Sequence, residues 1–328
     1  MKLSVVFLVI VQLHFLRGML VIPKDNSHYV EDISRYIWIP RDDGELVLVD
    51  LHEPVGNSWG KTNGALNQYW LYTRNNRNDY QLLIHGDISS VKNSNYRKDK
   101  PLYVITHGWT SNGTSPSNGL QKNAFLDNED CNVIVLDYRQ VASNSYVQAN
   151  IQAPDVGAAL GQFLIWLLQE TGGNFNNVHM TGYSLGAHVI ASAGRAVGGR
   201  AARITGLDPA GPLWQLNPNR LTHECAQYVE VIHTDGGLQG MLTPYAHADF
   251  YPNGGTSMQP GCSDSNCSHY RSVQLFAGSV TNKHFIGKQC SNFVQAVSRL
   301  CRGSEFIMGT ADVNKRGRGL YGLETTYS

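Results

Sequence analysis

Strand-like runs, several of them short, apolar and β-branched, recur at Tyr69 to Thr73, Leu102 to Thr106, Asn132 to Asp137, Val178 to Ser184, Arg203 to Asp208 and Val229 to His233. Each has the length of a strand. Between the third and fourth lies Ala153 to Gln169, in which Val156, Leu160, Phe163, Leu164, Leu167 and Leu168 return at helical spacing. Strands separated by helices predict an α/β fold with a mainly parallel, doubly wound sheet, whose ligand sites lie at the C-terminal strand ends. The polar segment from Asp87 to Lys100 reads as a loop. Residues 23 to 60 show little periodicity and either wrap the domain or form a removable pro-segment.

The sequence places reactive side chains at those strand ends. Gly182-Tyr183-Ser184-Leu185-Gly186 lies between the run ending near Thr181 and an alanine-rich helical stretch, Ala187 to Ala196. A nucleophile elbow needs glycine on both sides of the serine because the strand-to-helix turn leaves no room for side chains. Ser184 is therefore the candidate nucleophile, with Gly182 and Gly186 forming the elbow. Asp208 ends its run and is followed by Pro209, which stops the strand and puts the carboxylate on a loop. His269, expected on a loop next to Cys267, supplies an imidazole to take the serine proton. The order Ser184, Asp208, His269 is that of an α/β-hydrolase. Asp137, His233 and His247 are chemically able competitors, less favoured by order and tethering. The junction Ile105-Thr106-His107-Gly108-Trp109 predicts an oxyanion hole from the Trp109 amide together with that of Leu185.

Composition narrows the class. Hydrophobic residues make up 42%, which excludes a disordered chain, and 26 basic residues balance 26 acidic ones, so nothing points to nucleic acid. Lys2 and the apolar stretch Leu3 to Leu16, ending at Arg17-Gly18, predict a secretory signal peptide over 1–18. An extension or pro-segment, 19–60, and one catalytic domain, 61–328, follow. Six cysteines in an exported chain predict three disulfides: Cys262 with Cys267, Cys290 with Cys301, and, by inference, Cys131 with Cys225. None has zinc-site spacing, and no metal or other cofactor is expected. Asn112-Gly113-Thr114 is a glycosylation sequon; Asn266-Cys267-Ser268 also fits, with a disulfide cysteine against it.

Five ordered motifs over about residues 65 to 302 resemble the animal pancreatic lipase family, most nearly its insect neutral lipases and venom phospholipases A1. They are His107-Gly108-Trp109, Gly182 to His188, Gly206 to Pro212, Asp249 to Gly255 with Gln259 to Cys262, and Cys267 to Ser272. The resemblance implies an α/β-hydrolase fold, a Ser184, Asp208, His269 triad and the Trp109–Leu185 oxyanion hole. Four departures change what is expected. Tyr183 stands where the family commonly has histidine. Thr222 and Cys225 stand where calcium-binding aspartates are expected, so calcium is not. Few residues follow His269, so no C-terminal β-sandwich domain and no colipase partner are expected. Only four residues separate Cys262 from Cys267, where the family carries its lid; these span about 6 Å as helix and cannot cover a lipid-sized cleft. The reading is a secreted carboxylester hydrolase acting on lipid at a membrane or micelle surface, of phospholipase A1 type, with no stable protein partner. A neutral triacylglycerol lipase, a galactolipase and a non-catalytic lipid carrier of the yolk-protein kind are the alternatives.

Overall fold

The computed structural model describes residues 22–54, 64–281 and 284–326. The expected signal peptide lies outside them. Thirteen strands form among the described residues: β1 Tyr36–Pro40, β2 Leu46–Asp50, β3 Gln68–Tyr72, β4 Gln81–Leu83, β5 Leu102–Thr106, β6 Asn132–Asp137, β7 Val178–Tyr183, β8 Arg203–Leu207, β9 Val229–Ile232, β10 Ala248–Pro252, β11 Ile286–Cys290, β12 Glu305–Ile307 and β13 Gly319–Leu323. The helices are α1 Ile88–Lys92, α2 Pro116–Asn128, α3 Arg139–Ala142, α4 Tyr146–Thr171, α5 Leu185–Ala196, α6 Ser265–Val280 and α7 Phe293–Val297. Strands β3 to β13 make one sheet in the order β12-β11-β13-β10-β9-β8-β7-β5-β6-β3-β4. From β13 through β6 every neighbour is parallel, and the antiparallel pairs sit at the two ends.

Alternate residues of the parallel strands feed two cores. Val104, Ile134, Met180 and Ile204 face α4 and α5 on one side. Tyr103, Ile105, Val133 and Val135 face α2 and α6 on the other. The central strands are apolar on both faces for this reason. Apolar side chains of α4 at helical spacing, from Val156 to Leu168, are buried against that first face. Full burial of each leucine contributes roughly 1.5–3 kcal/mol.

Helix α4 starts at Tyr146, seven residues before the expected Ala153, and runs through Pro154. Proline removes one N–H, yet Ser145 caps the N-terminus through Gln148 N, and Tyr146 is buried beside Trp109. The polar segment after Asp87 contains the short helix α1, capped by the Asp87 side chain.

Residues 22–54 pack on the domain. Strands β1 and β2 pair antiparallel, and Ile37, Ile39 and Val49 bury against Tyr146. Near the N-terminal ends of the central strands β8 and β9, away from the candidate site, buried Glu230 joins Arg203 at 3.3 Å and pairs with Lys315. Arg203 also donates to the carbonyls of Gly309, Thr310 and Asp312, so this network holds β8 and β9 to the C-terminal segment.

Cysteine pairing departs from expectation at one pair. Cys262–Cys267 and Cys290–Cys301 are disulfides, but Cys131 and Cys225 are free and buried. Cys131 belongs to the core on the α2–α6 face and Cys225 to that on the α4–α5 face. The sheet lies between them, and a disulfide needs adjacent Cα positions. Burial pushes the Cys131 thiol up to about 12, so it is unreactive while folded. Alkylation of the unfolded, unreduced protein should therefore modify two thiols per chain, and the native protein should resist. Mass spectrometry finding none modified after unfolding would contradict the assignment.

Candidate active site

Strand β7 delivers Ser184 at φ 56°, ψ −124°, and α5 begins at the next residue. A left-handed serine is strained, and its surroundings hold it there. A Cβ on Gly186 would come within 2.5 Å of the His107 carbonyl oxygen, and one on Gly182 within 2.4 Å of the Gly186 carbonyl oxygen. Only hydrogen fits at either position. Ser184 N donates to Leu207 O at 3.0 Å, which ties the elbow to β8. The serine is half-buried and lines a cavity of about 340 Å³ together with His269.

Asp208 follows β8, fully buried, with φ 43°. Its Oδ2 accepts a 2.6 Å hydrogen bond from His269 Nδ1, and its Oδ1 accepts from the amides of Thr234 at 2.8 Å and Asp235 at 3.2 Å. Those amides come from the loop after β9, so two strands jointly define the carboxylate's position. His269 lies inside α6, not on the expected loop. The Asp264 side chain caps that helix through Cys267 N at 2.7 Å, and the Cys262–Cys267 disulfide closes the turn before it. The imidazole is therefore held by a helix, and Tyr183 packs 4.8 Å from it, centroid to centroid.

Gly108 and Trp109 adjoin the serine; a Cβ on Gly108 would sit 3.3 Å from Ser184 Cβ. Trp109 Nε1 donates to Asn144 O, which fixes the ring. The amide of Leu185 opens α5, at the positive end of its dipole. The arrangement has the parts of a serine nucleophile, a base, an orienting acid and backbone donors, the set used for acyl transfer.

The competing residues have structural partners elsewhere. His233 bonds Asp249 at 3.0 Å and Met241 O at 2.7 Å, His247 Nδ1 accepts from Val229 N, and Asp137 accepts from Arg139. Asn112 is half-buried, with its side-chain oxygen accepting from Thr114. In the stretch Asn219 to Cys225, where the resemblance would put calcium, the Arg195 guanidinium donates to the carbonyls of Asn219 and Arg220. A cationic group at those carbonyls, with Glu224 as the segment's one carboxylate, does not fit a calcium ion, which takes six to eight oxygens.

Two contributors escaped the sequence reading. Asp42, in the β1–β2 turn, accepts from the hydroxyls of Ser111 and Ser115, each at 2.7 Å, and lines the cavity. Asp235 lies two residues beyond His233, a strand-end signal like the one that marked Asp208. Its Oδ2 accepts from Gln239 N and Ser265 Oγ, while Oδ1 is buried without a partner. Donor atoms of Asp208, Asp235 and His269 lie within 4.8 Å of one another, so Asp235 is a neighbour of the Asp208–His269 pair.

Burial, then the charge of Asp208, pushes the Asp235 carboxyl up to about 7. An acid with a raised folded pKa adds stability below its ordinary pKa and loses it as pH rises through the folded value. Asp235→Asn keeps the acceptor and removes the ionisation. Its melting temperature minus that of the wild type should therefore grow between pH 5 and pH 8. A difference that stays constant, measured by calorimetry, would show that Asp235 is not neutralised by its site.

A family model described as Lipase matches residues 48–306. Pancreatic lipase-related protein 2 of Cavia porcellus is 38% identical over 239 residues, covering 69% of this chain and 54% of that protein. Pancreatic triacylglycerol lipase of Myocastor coypus is 36% identical over 262 residues, covering 71% and 57%. The chain thus spans a little over half the length of these relatives. With the family model matching most of its length, the chain belongs to the Lipase family.

Proposed function

We propose that this protein is a secreted hydrolase of lipid carboxylic esters, working through an acyl-enzyme and cleaving phospholipids at the first acyl position. The 2.6 Å bond between His269 and Asp208, on a cavity that Ser184 shares, carries the hydrolase reading. In this mechanism His269 Nε2 takes the Ser184 proton as Oγ attacks the ester carbonyl. Asp208 holds the Nδ1–H tautomer and stabilises the imidazolium. The Trp109 and Leu185 amides receive the oxyanion, and the same imidazole then activates the water that releases the acid. No cofactor, colipase or stable protein partner is required. Two disulfides support an oxidising, extracellular setting, and Asn112 is the proposed glycan site.

The phospholipid reading is supported by what becomes of the four residues between Cys262 and Cys267. Asp264 caps α6 and Ser265 and Asn266 begin it, so this segment has no length left to form a flap. The cavity is bordered instead by the β1–β2 turn, pinned through Asp42 to Ser111 and Ser115. A fixed border needs no oil surface to open it and admits a polar head group. Triacylglycerol is the second reading, favoured by the name of the 36% identical relative. A lipid carrier without catalysis is a third, which the presence of Ser184 on the cavity that His269 also lines disfavours.

Phosphatidylcholine and triacylglycerol with the same acyl chains distinguish these readings, assayed above and below the concentration where each aggregates. Release of the first-position chain with no rate jump at the interface is expected. Preference for triacylglycerol would replace the phospholipid reading, and Ser184→Ala should lower either activity by at least about 10⁴-fold.

A further inference from the structure

A second cleft, of about 500 Å³, opens beside the cavity of Ser184 and His269. Pairing within the hairpin decides which side chains reach it. Trp38 stands opposite Leu48 and Pro40 opposite Leu46, so these four share the face turned away from Ile37 and Val49, which bury against Tyr146. Trp38, Pro40 and Leu46 line the cleft, and the first turn of α6 forms the facing wall with Asp264 and Asn266. Pro40, Gln239 and Asn266 line both cavities, so the two adjoin. Asn266 precedes His269 by three residues on α6, which puts the cleft about one helical turn from the imidazole.

The charges in the cleft are of both signs. Lys24 Nζ lies 5.2 Å from the centre of the Trp38 ring and has no ion pair among the described residues. Asp25 accepts from Ser27 N through Oδ1, and Asp264 accepts from Cys267 N through Oδ1 and from Ser263 Oγ through Oδ2 at 3.4 Å. Neither carboxylate has an ion pair among the described residues, so both keep their charge available to a cation. A lysine, itself exposed, resting over the half-buried Trp38 ring is weakly held and can turn to a phosphate, where a charge-assisted bond is stronger.

We infer that this cleft is the head-group subsite for a zwitterionic phospholipid, with Lys24 pairing to the phosphate and Asp25 and Asp264 facing the quaternary ammonium. The proposal rests on the phospholipid reading above and names the residues that would make it selective. A neutral glyceride offers Lys24 no partner, and a purely anionic head group meets the two carboxylates as like charges. Trp38 supplies the apolar floor between them. The subsite therefore discriminates by charge pattern, one turn of helix from the reacting ester.

Lys24 is exposed, so its replacement leaves folding intact. The test compares kcat/KM on monomeric dihexanoyl phosphatidylcholine with that on dihexanoylglycerol for wild type, Lys24→Glu and Lys24→Arg. The ratio of phosphatidylcholine to glyceride should fall at least about tenfold in Lys24→Glu and stay within about twofold in Lys24→Arg. Inhibition by glycerophosphocholine should weaken in Lys24→Glu by a similar factor. A wild-type enzyme that turns over phosphatidylcholine, with a ratio that Lys24→Glu does not move, overturns the subsite alone. A wild type that cleaves the glyceride and not phosphatidylcholine overturns the phospholipid reading and the subsite with it.

Discussion

At Ser184 the backbone takes a left-handed turn in a space where its glycine neighbours admit no Cβ, and much of the site follows from that crowding. Gly186 lies against the carbonyls of Thr106 and His107, so the ends of β5 and β7 are drawn together. The same closeness sets Gly108 against Ser184 while Leu185 presents the first amide of α5. Helix α5 is backed in turn by α4, whose Gly157 would meet the Val189 carbonyl if it carried a Cβ. Strain at one residue is thus held by two helices and three strands, the over-determination that such a conformation needs.

The acid side of the site is governed by charge burial. Asp208 is fully buried, yet two backbone amides and the imidazole satisfy it. Asp235, packed beside it, has one oxygen served and the other orphaned, so the pair accommodates one full negative charge more easily than two. The hairpin adds a third constraint. Its turn is clipped to the loop after β5 by Asp42, so the cavity wall is a fixed part of the fold, and Pro40 on the same hairpin borders both the cavity and the neighbouring cleft.

Sequence and structure agree where the signal is local and steric. The six apolar runs end within a residue of the observed strands, because strands buried on both faces must be apolar throughout. The glycine spacing around Ser184 marks the elbow because nothing larger fits. The hairpin from Tyr36 to Asp50 was not legible: only Ile37, Ile39 and Val49 bury, and their partner Tyr146 lies about a hundred residues away. The helical setting of His269 depends on Asp264 acting as a cap, which the nearby cysteines obscured. The Cys131–Cys225 pair followed from an even count, and parity carries no information about which face of a sheet a thiol occupies. Strands β11 to β13 hold few β-branched residues and owe their pairing to the sheet edge they extend.

The central claim is that Ser184 is an activated nucleophile served by His269 and Asp208. A fluorophosphonate reacts with such a serine and leaves ordinary hydroxyls untouched, so labelling of the native protein followed by peptide mass spectrometry addresses it directly. The account predicts one adduct per chain, on Ser184, with labelling much slowed in His269→Ala. An unlabelled native protein, or an adduct on a different serine, would contradict it.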